Sequence, residues 1–327
     1  MENFLYIVIF SVLLTFVFGK IYIKIWKASH KTENTPTGFG VCLPFLMMLY
    51  FFFISEIWTE INLSIFIIFC AGLIFLLDDI HGLPPIFRIL ISFLFGVLLV
   101  LEASFFDLSS EFLLVSFCVF FGLISVGLTN VINFYDGVDL NLATIVFLAS
   151  LILMSFSELD TTVFHIGVIM LGFSLGFGLI NKIPDTLFMG DSGSFVIALL
   201  FLYFMINYFV GNLIIPIEIL SVLPLPIFDV FYVILIRLYY RHDILSRNYL
   251  HLYQRIRIRF GSFYHLLPQL VNVIIILLLN HIISPYFGND FLVLVAICVI
   301  VTPLFYIVCR MYFVEKNYFF GDGKSNV

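Results

Sequence analysis

Apolar residues run through this chain in long blocks, and eleven of them stand out: residues 4–25, 41–54, 63–77, 85–101, 112–131, 142–156, 163–180, 195–209, 213–236, 266–283 and 291–308. A helix needs about 20 apolar residues to cross the hydrocarbon of a bilayer, so the longer blocks predict membrane spans. The shorter ones must recruit flanking residues, and 41–54 and 195–209 are the weakest of the set. Most charged residues lie in the segments between blocks. The pattern predicts an all-α polytopic integral membrane protein, a single transmembrane domain over residues 1–327 with about eleven transmembrane helices.

Composition agrees. Of the 327 residues 62% are hydrophobic and 11% charged, 42 are Phe, and the mean hydropathy is +1.16. Soluble domains carry about 25% charged residues, so a single soluble core is excluded. The first block follows Glu2 with no basic region and leads to no small-residue cleavage site, so it reads as a retained span and not a signal peptide. The cysteines (Cys42, Cys70, Cys118, Cys298 and Cys309) are single and far apart, a spacing that fits neither a disulfide framework nor a zinc cluster.

Net charge, −6, matters less here than the side on which charge falls. With eleven spans, Lys20, Lys24, Lys27, Lys31, Arg88, Lys182, Arg237, Arg241, Arg247, Arg255, Arg257, Arg259, Arg310, Lys316 and Lys324 all lie on or near one side. The positive-inside rule makes that side cytoplasmic, with the N-terminus outside and the C-terminus inside. The opposite loops carry only acids: Glu56, Glu60, Glu102, Asp107, Glu111, Glu158, Asp160 and Asp290.

On this topology five polar segments share the cytoplasmic face, around 26–40, 78–88, 130–141, 182–194 and 237–265. The second begins with Asp78-Asp79, two adjacent carboxylates at the end of a span, with Arg88 following. Paired carboxylates repel unless a cation or proton offsets one charge, and Arg binds phosphate oxygens in bidentate fashion. A helix cap with a basic anchor is the bland alternative. The third segment places Asn130, Asn133 and Asp136 about one helical turn apart, followed by Asp139, which gives hard oxygen donors suited to Mg²⁺. In the fourth, Phe188-Met189-Gly190-Asp191-Ser192-Gly193-Ser194 opens an apolar block, where Asp191, Ser192 or Ser194 also suits an N-cap. The fifth is basic and contains His251 and Arg255, a plausible diphosphate clamp; Arg257 and Arg259 fit an anionic-lipid patch better. His165 and His281 read as packing or interface residues, and Gly172, Gly176 and Gly178 as small-residue helix contacts. Gly323-Lys324-Ser325 fails as a P-loop because Tyr318 stands where the first glycine belongs.

Taken together the segments resemble the polyprenyl-phosphate N-acetylhexosamine-1-phosphate transferases (glycosyltransferase family 4). Thr35-Pro36-Thr37-Gly38, Asp78-Asp79, Asn130…Asn133…Asp136-Gly137-Val138-Asp139 and Phe188 to Ser194 occur in family order. The resemblance implies that Asp191 and Asn133 ligate Mg²⁺ (or Mn²⁺) and that Asp78 and Asp79 serve the polyprenyl phosphate as catalytic residues. It implies that Phe188 stacks on uracil, with Asp139 close to the uridine, and that Asn130 and Asp136 line the substrate site. Arg88 would contact phosphate. His251-Leu252-Tyr253-Gln254-Arg255 resembles the loop motif of the O-antigen-initiating branch, where His and Arg hold the diphosphate. The histidine triplet of the peptidoglycan branch is missing. One departure is local: Leu140-Asn141 follow Asp139 where the family often has Gly-Leu.

The activity so implied moves a sugar-1-phosphate from a UDP-N-acetylhexosamine to undecaprenyl phosphate at the cytoplasmic face of a bacterial inner membrane. It releases UMP and starts a lipid-linked glycan for O-antigen or another envelope polysaccharide. The expected partners are the two substrates, the membrane and a second copy of the chain, with no nucleic acid. A transporter or scramblase of an anionic lipid-linked sugar is the competing class. It accounts for the hydrophobicity and the basic segment but not for Asp-rich motifs on one face.

Overall fold

The computed structural model describes residues 2–29, 35–53, 61–104, 111–158, 161–182, 186–210, 213–242, 249–261, 263–287 and 289–314. Lys31, Arg247, Lys316, Lys324, Glu56, Glu60, Asp107, Asp160 and Asp185 therefore lie outside the described residues, as does Gly323-Lys324-Ser325. The described residues form helices and turns without a strand. Nine helices among them are long and apolar enough to cross a membrane, which makes the protein an all-α polytopic membrane protein.

The chain divides into two compact units, Met1–Pro216 and Ile217–Val327. The first holds α1 (Glu2–Ser29), α2 (Cys42–Phe53), α3 (Ile61–His81), α4 (Pro85–Ser104), α5 (Glu111–Tyr135), α6 (Asn141–Phe156), α7 (Thr162–Asn181) and α8 (Gly190–Val210). The second holds α9 (Pro224–Tyr239), α10 (Leu252–Phe260), α11 (Leu267–Ile283) and α12 (Asp290–Phe313).

Each apolar block of the sequence lands on helix, but not always as expected. Block 195–209, one of the two weakest, lies inside the 21-residue α8. That helix is the centre of its unit: it packs on α3, α4 and α5, and 83% of its apolar window is buried, against 22% for α1. Its apolarity on all sides reflects protein neighbours, whereas that of α1 reflects lipid-facing surface. Block 41–54 is short because its first turn is a 3₁₀ segment (Phe39–Val41), leaving α2 with 12 residues. The other short helix is α6, with 16 residues. Block 213–236 is broken: a 3₁₀ stretch (Ile217–Val222) precedes α9, and Pro224 and Pro226 restart the helix in its first turn, where Pro is tolerated.

The small-residue reading of α7 holds at two positions. Gly172 and Gly176 face Ser11, Val12 and Thr15 of α1 so closely that an added Cβ would meet backbone and side chain. Gly178 instead faces Leu140. His165 packs against Tyr50, with ring centroids 5.5 Å apart. In the second unit, α12 packs on α9, α10 and α11 around Leu225, Leu252, Ile256, Tyr306 and Cys309. The sequence reading treated 237–265 as loop, but α10 occupies its middle, with Arg257 and Arg259 in its last turn.

Candidate active site

Asp78 and Asp79 occupy the last turn of α3. The helix stops just beyond them: the Gly82 N–H donates to the Asp78 carbonyl (2.7 Å) and the Leu83 N–H to Asp78 Oδ1 (2.5 Å). Pro85 then opens α4, so Arg88 in its first turn faces back toward α3. The Arg88 guanidinium grips Asp78 in bidentate fashion, Nε to Oδ2 at 2.7 Å and Nη2 to Oδ1 at 3.0 Å, and its Nη1 reaches Asp191 Oδ2 at 3.0 Å. The Asp78 side chain is fully buried, whereas those of Arg88 (35% exposed) and Asp191 (22%) remain reachable. Asp78 is thereby committed to Arg88, and the accessible face of the cluster belongs to Arg88 and Asp191.

The second aspartate of the pair does something the sequence did not disclose. Asp79 Oδ1 accepts the backbone N–H of Asp191 and Oδ2 that of Ser192, both at 3.0 Å. The Gly190 N–H donates to the Asp136 carboxylate. The first N–H groups of a helix have no intrahelical partner and carry its positive dipole end, so carboxylates there are doubly favoured. The caps of α8 are thus side chains from α3 and from the end of α5, and not its own serines. Ser192 instead donates its hydroxyl to the Gly38 carbonyl (2.8 Å), and Ser194 back-bonds to Gly190 (3.3 Å). Gly190 itself sits at φ +73°, and a Cβ there would collide with both Asp79 oxygens.

Asn133, in the last turns of α5, donates its amide to Asp191 Oδ1. Asp136, just past the helix, has its carboxyl pushed well above the usual carboxylate range. Burial is the largest cause, followed by the negative charges of Asp79 and Asp191 and then Asp139, against the lowering pull of the Gly190 N–H. Asp78 and Asp191 thus flank one guanidinium, and the carboxyl groups of Asp79 and Asp136 lie close to that of Asp191. That excess of negative charge is chemically suited to a hard divalent cation on Asp191, Asp136 and the Asn133 amide oxygen, with waters and phosphate completing the shell. Among the described residues no group of three or more His, Cys, Asp or Glu is arranged as a self-sufficient metal cage.

Two backbone straps hold the cluster. The Phe188 N–H donates to the Pro36 carbonyl (2.9 Å) and the Gly40 N–H to the Met189 carbonyl (3.1 Å), so Thr35-Pro36-Thr37-Gly38 is laced onto the strap entering α8. Tyr22 of α1 donates to the Thr37 carbonyl (2.5 Å). Asn181, at the end of α7 and absent from the expected site, donates to the Leu187 carbonyl (2.8 Å) and accepts the Leu140 N–H (2.5 Å). Leu140 stands where the family often has Gly, and its φ is +68°. The backbone keeps the left-handed turn although the residue disfavours it. Phe188 and Asp139 are half-buried, and Asn130 is exposed with its amide turned to the Val126 carbonyl of its own helix.

In the second unit His251 is buried and its Nδ1 lies 3.0 Å from Oδ2 of Asp229, a residue in the apolar block that becomes α9. Arg255 follows one turn later on α10 and is also buried. Asp229 was missed at the sequence level although an acid well inside an apolar block is itself a signal.

Fold and site together define a class: an all-α membrane protein whose first unit gathers oxygen donors and a guanidinium. Residues 58–209 match the family model described as Glycosyl transferase family 4. The chain is 31% identical to the "Probable undecaprenyl-phosphate N-acetylglucosaminyl 1-phosphate transferase" of Bacillus subtilis (strain 168), over 49% of this chain and 44% of the relative. It is 27% identical to a phospho-N-acetylmuramoyl-pentapeptide-transferase of Streptococcus pneumoniae, over 53% of this chain and 59% of the relative. Over these stretches the chain is similar to members of the polyprenyl-phosphate hexosamine-1-phosphate transferase superfamily. The chain spans about half the length of the curated relatives it matches. The family match ends at residue 209, before the second unit begins.

Proposed function

We propose that the protein transfers a sugar-1-phosphate from a UDP-N-acetylhexosamine to undecaprenyl phosphate, releasing UMP, on the cytoplasmic face of a bacterial inner membrane. The observation that carries this reading is the convergence of Asp78, Asp79, Arg88, Asn133, Asp136 and Asp191 from α3, α4, α5 and α8. The name of the Bacillus subtilis relative specifies undecaprenyl phosphate, which supports the substrate class.

An oxygen of the lipid phosphate attacks the β-phosphorus of the UDP-sugar; the new O–P bond forms as the bond to the UMP oxygen breaks. The second pKa of a phosphate is about 6, so the nucleophile is largely ionised and needs little general-base help. Bringing two anions together is the main barrier. Arg88 lies between the buried Asp78 and the accessible Asp191, a position from which it can donate to a phosphate oxygen. Asp191, Asn133 and Asp136 would hold Mg²⁺, which when bound neutralises charge on the diphosphate. Asp78 fixes the guanidinium, and Asp79 fixes the turn that carries Asp191. Phe188 and Asp139 are assigned to the uridine, Asn130 to the rim, and His251 with Arg255 to the diphosphate. The O-antigen-initiating branch is favoured by the His251 to Arg255 motif.

Purified protein in detergent tests the reading. UMP release that requires both Mg²⁺ and undecaprenyl phosphate is the expected result, with UDP-GlcNAc, UDP-GalNAc, UDP-QuiNAc and UDP-FucNAc supplied one at a time. Silence across that panel would favour a transporter of lipid-linked sugars instead.

A further inference from the structure

We infer that Asp229 is a positioning residue for His251, fixing the tautomer and orientation of its ring and the first turn of α10. The inference rests on the proposed role of His251 and Arg255 toward the diphosphate. Asp229 has no exposed surface. Its Oδ2 lies 3.0 Å from His251 Nδ1, and its Oδ1 accepts both the Leu252 N–H (2.9 Å) and the Tyr306 hydroxyl (2.6 Å). Arg310 adds a cation one bond further on: its Nη1 donates to the Tyr306 oxygen and to the Leu250 carbonyl, each at 3.0 Å. The same guanidinium lies over the Tyr232 ring, 4.8 Å from its centroid.

A carboxylate in such a place is hard to explain as packing. Its partners Leu252 and Tyr306 belong to an apolar cluster with Leu225, Ile256 and Cys309, and replacing buried ionic groups by apolar side chains of similar volume is often neutral or stabilising. What a carboxylate adds is direction. Ionised, it only accepts hydrogen bonds, so the ring nitrogen facing it must carry the proton. With Nδ1–H committed to Asp229, Nε2 becomes the nitrogen through which His251 meets a phosphate oxygen. Because the same acid binds Leu252 N–H at the start of α10, ring and helix are set by one group, and Arg255 follows on that helix one turn later. A carboxylate behind a working imidazole is a recurrent device for fixing tautomer and aim.

The test compares wild type, Asp229→Asn and Tyr306→Phe in the full chain in detergent. The ring is read by ¹⁵N-histidine NMR at alkaline pH, with the His251 resonance assigned by its loss in His251→Gln. In wild type the neutral ring should carry its proton on Nδ1. Asp229→Asn should move the proton to Nε2, because the amide can turn an N–H toward the ring. Tyr306→Phe removes a donor to the same carboxylate and serves as the control: it should lower thermal stability yet leave Nδ1–H in place. UMP release by Asp229→Asn should fall in kcat by about tenfold or more, and that of Tyr306→Phe much less. An unchanged tautomer in Asp229→Asn overturns the inference, as do equal losses of kcat and melting temperature in the two variants. Nδ1–H in wild type and the switch in Asp229→Asn, with no UMP released by wild type, would sink the proposed activity and leave the pairing supported.

Discussion

Replacing Asp79 by Asn separates a positioning acid from a reacting one. Asp79 gives one oxygen to each of two backbone N–H groups at the start of α8, both at 3.0 Å. Hydrogen bonds to a charged group are worth about 1.5–3 kcal/mol each. Asn keeps one carbonyl oxygen and sets an N–H against the other donor, so the variant should lose roughly one such bond. For a unit the size of Met1–Pro216, that loss lowers the melting temperature by roughly 3 to 12 °C. The damage to function should appear at Asp191, whose backbone is one of the two donors. If about half of the loss, roughly 0.75–1.5 kcal/mol, falls on the aim of its carboxylate, the Mg²⁺ concentration for half-maximal UMP release rises about three- to twelvefold. At saturating Mg²⁺, kcat should return to near the wild-type value. The assay is a Mg²⁺ titration of UMP release beside a melting curve. Abolished kcat at saturating Mg²⁺ with an unchanged melting temperature would refute the reasoning and make Asp79 a participant in bond formation, as in an aspartyl-phosphate route.

Three further outcomes follow from the same geometry. Asp191→Asn should abolish UMP release at every Mg²⁺ concentration, since it removes the accessible carboxylate that both Arg88 and Asn133 address; activity restored by high Mg²⁺ would contradict this. Arg88→Lys keeps the charge but not the fork that spans Asp78 and Asp191, so kcat/KM should fall at least tenfold, the loss of about one charge-assisted bond; near-normal kcat/KM would show that charge alone suffices. At position 140 the left-handed turn costs an L-residue about 1–2 kcal/mol, so Leu140→Gly should melt above Leu140→Ala, and the reverse order would mean that the turn relaxes without Gly.

The reach of the sequence can be judged residue by residue. Apolar blocks announced the helices because a bilayer accepts little else, and even the doubtful block 195–209 proved to be the buried α8. Its hydropathy could not say whether protein or lipid surrounds it, since both are apolar. The motifs named Asp78, Asp79, Arg88, Asn133 and Asp191 correctly as neighbours in space, but not who holds whom. Asp79 is 112 positions from the Asp191 N–H it accepts, and no local pattern encodes a cap supplied by another helix. Leu140 was visible only as a departure; its φ of +68° and the Asn181 side chain that receives its N–H emerged with the tertiary structure. Asp229 is the opposite case, because its signal was present: an acid inside block 213–236 is costly in hydrocarbon. Its partners, the His251 ring and the Leu252 N–H, stand 22 and 23 positions away. For Asp79 and Leu140 the missing information was a partner distant in sequence, which tertiary structure supplied through hydrogen bonds to backbone N–H groups.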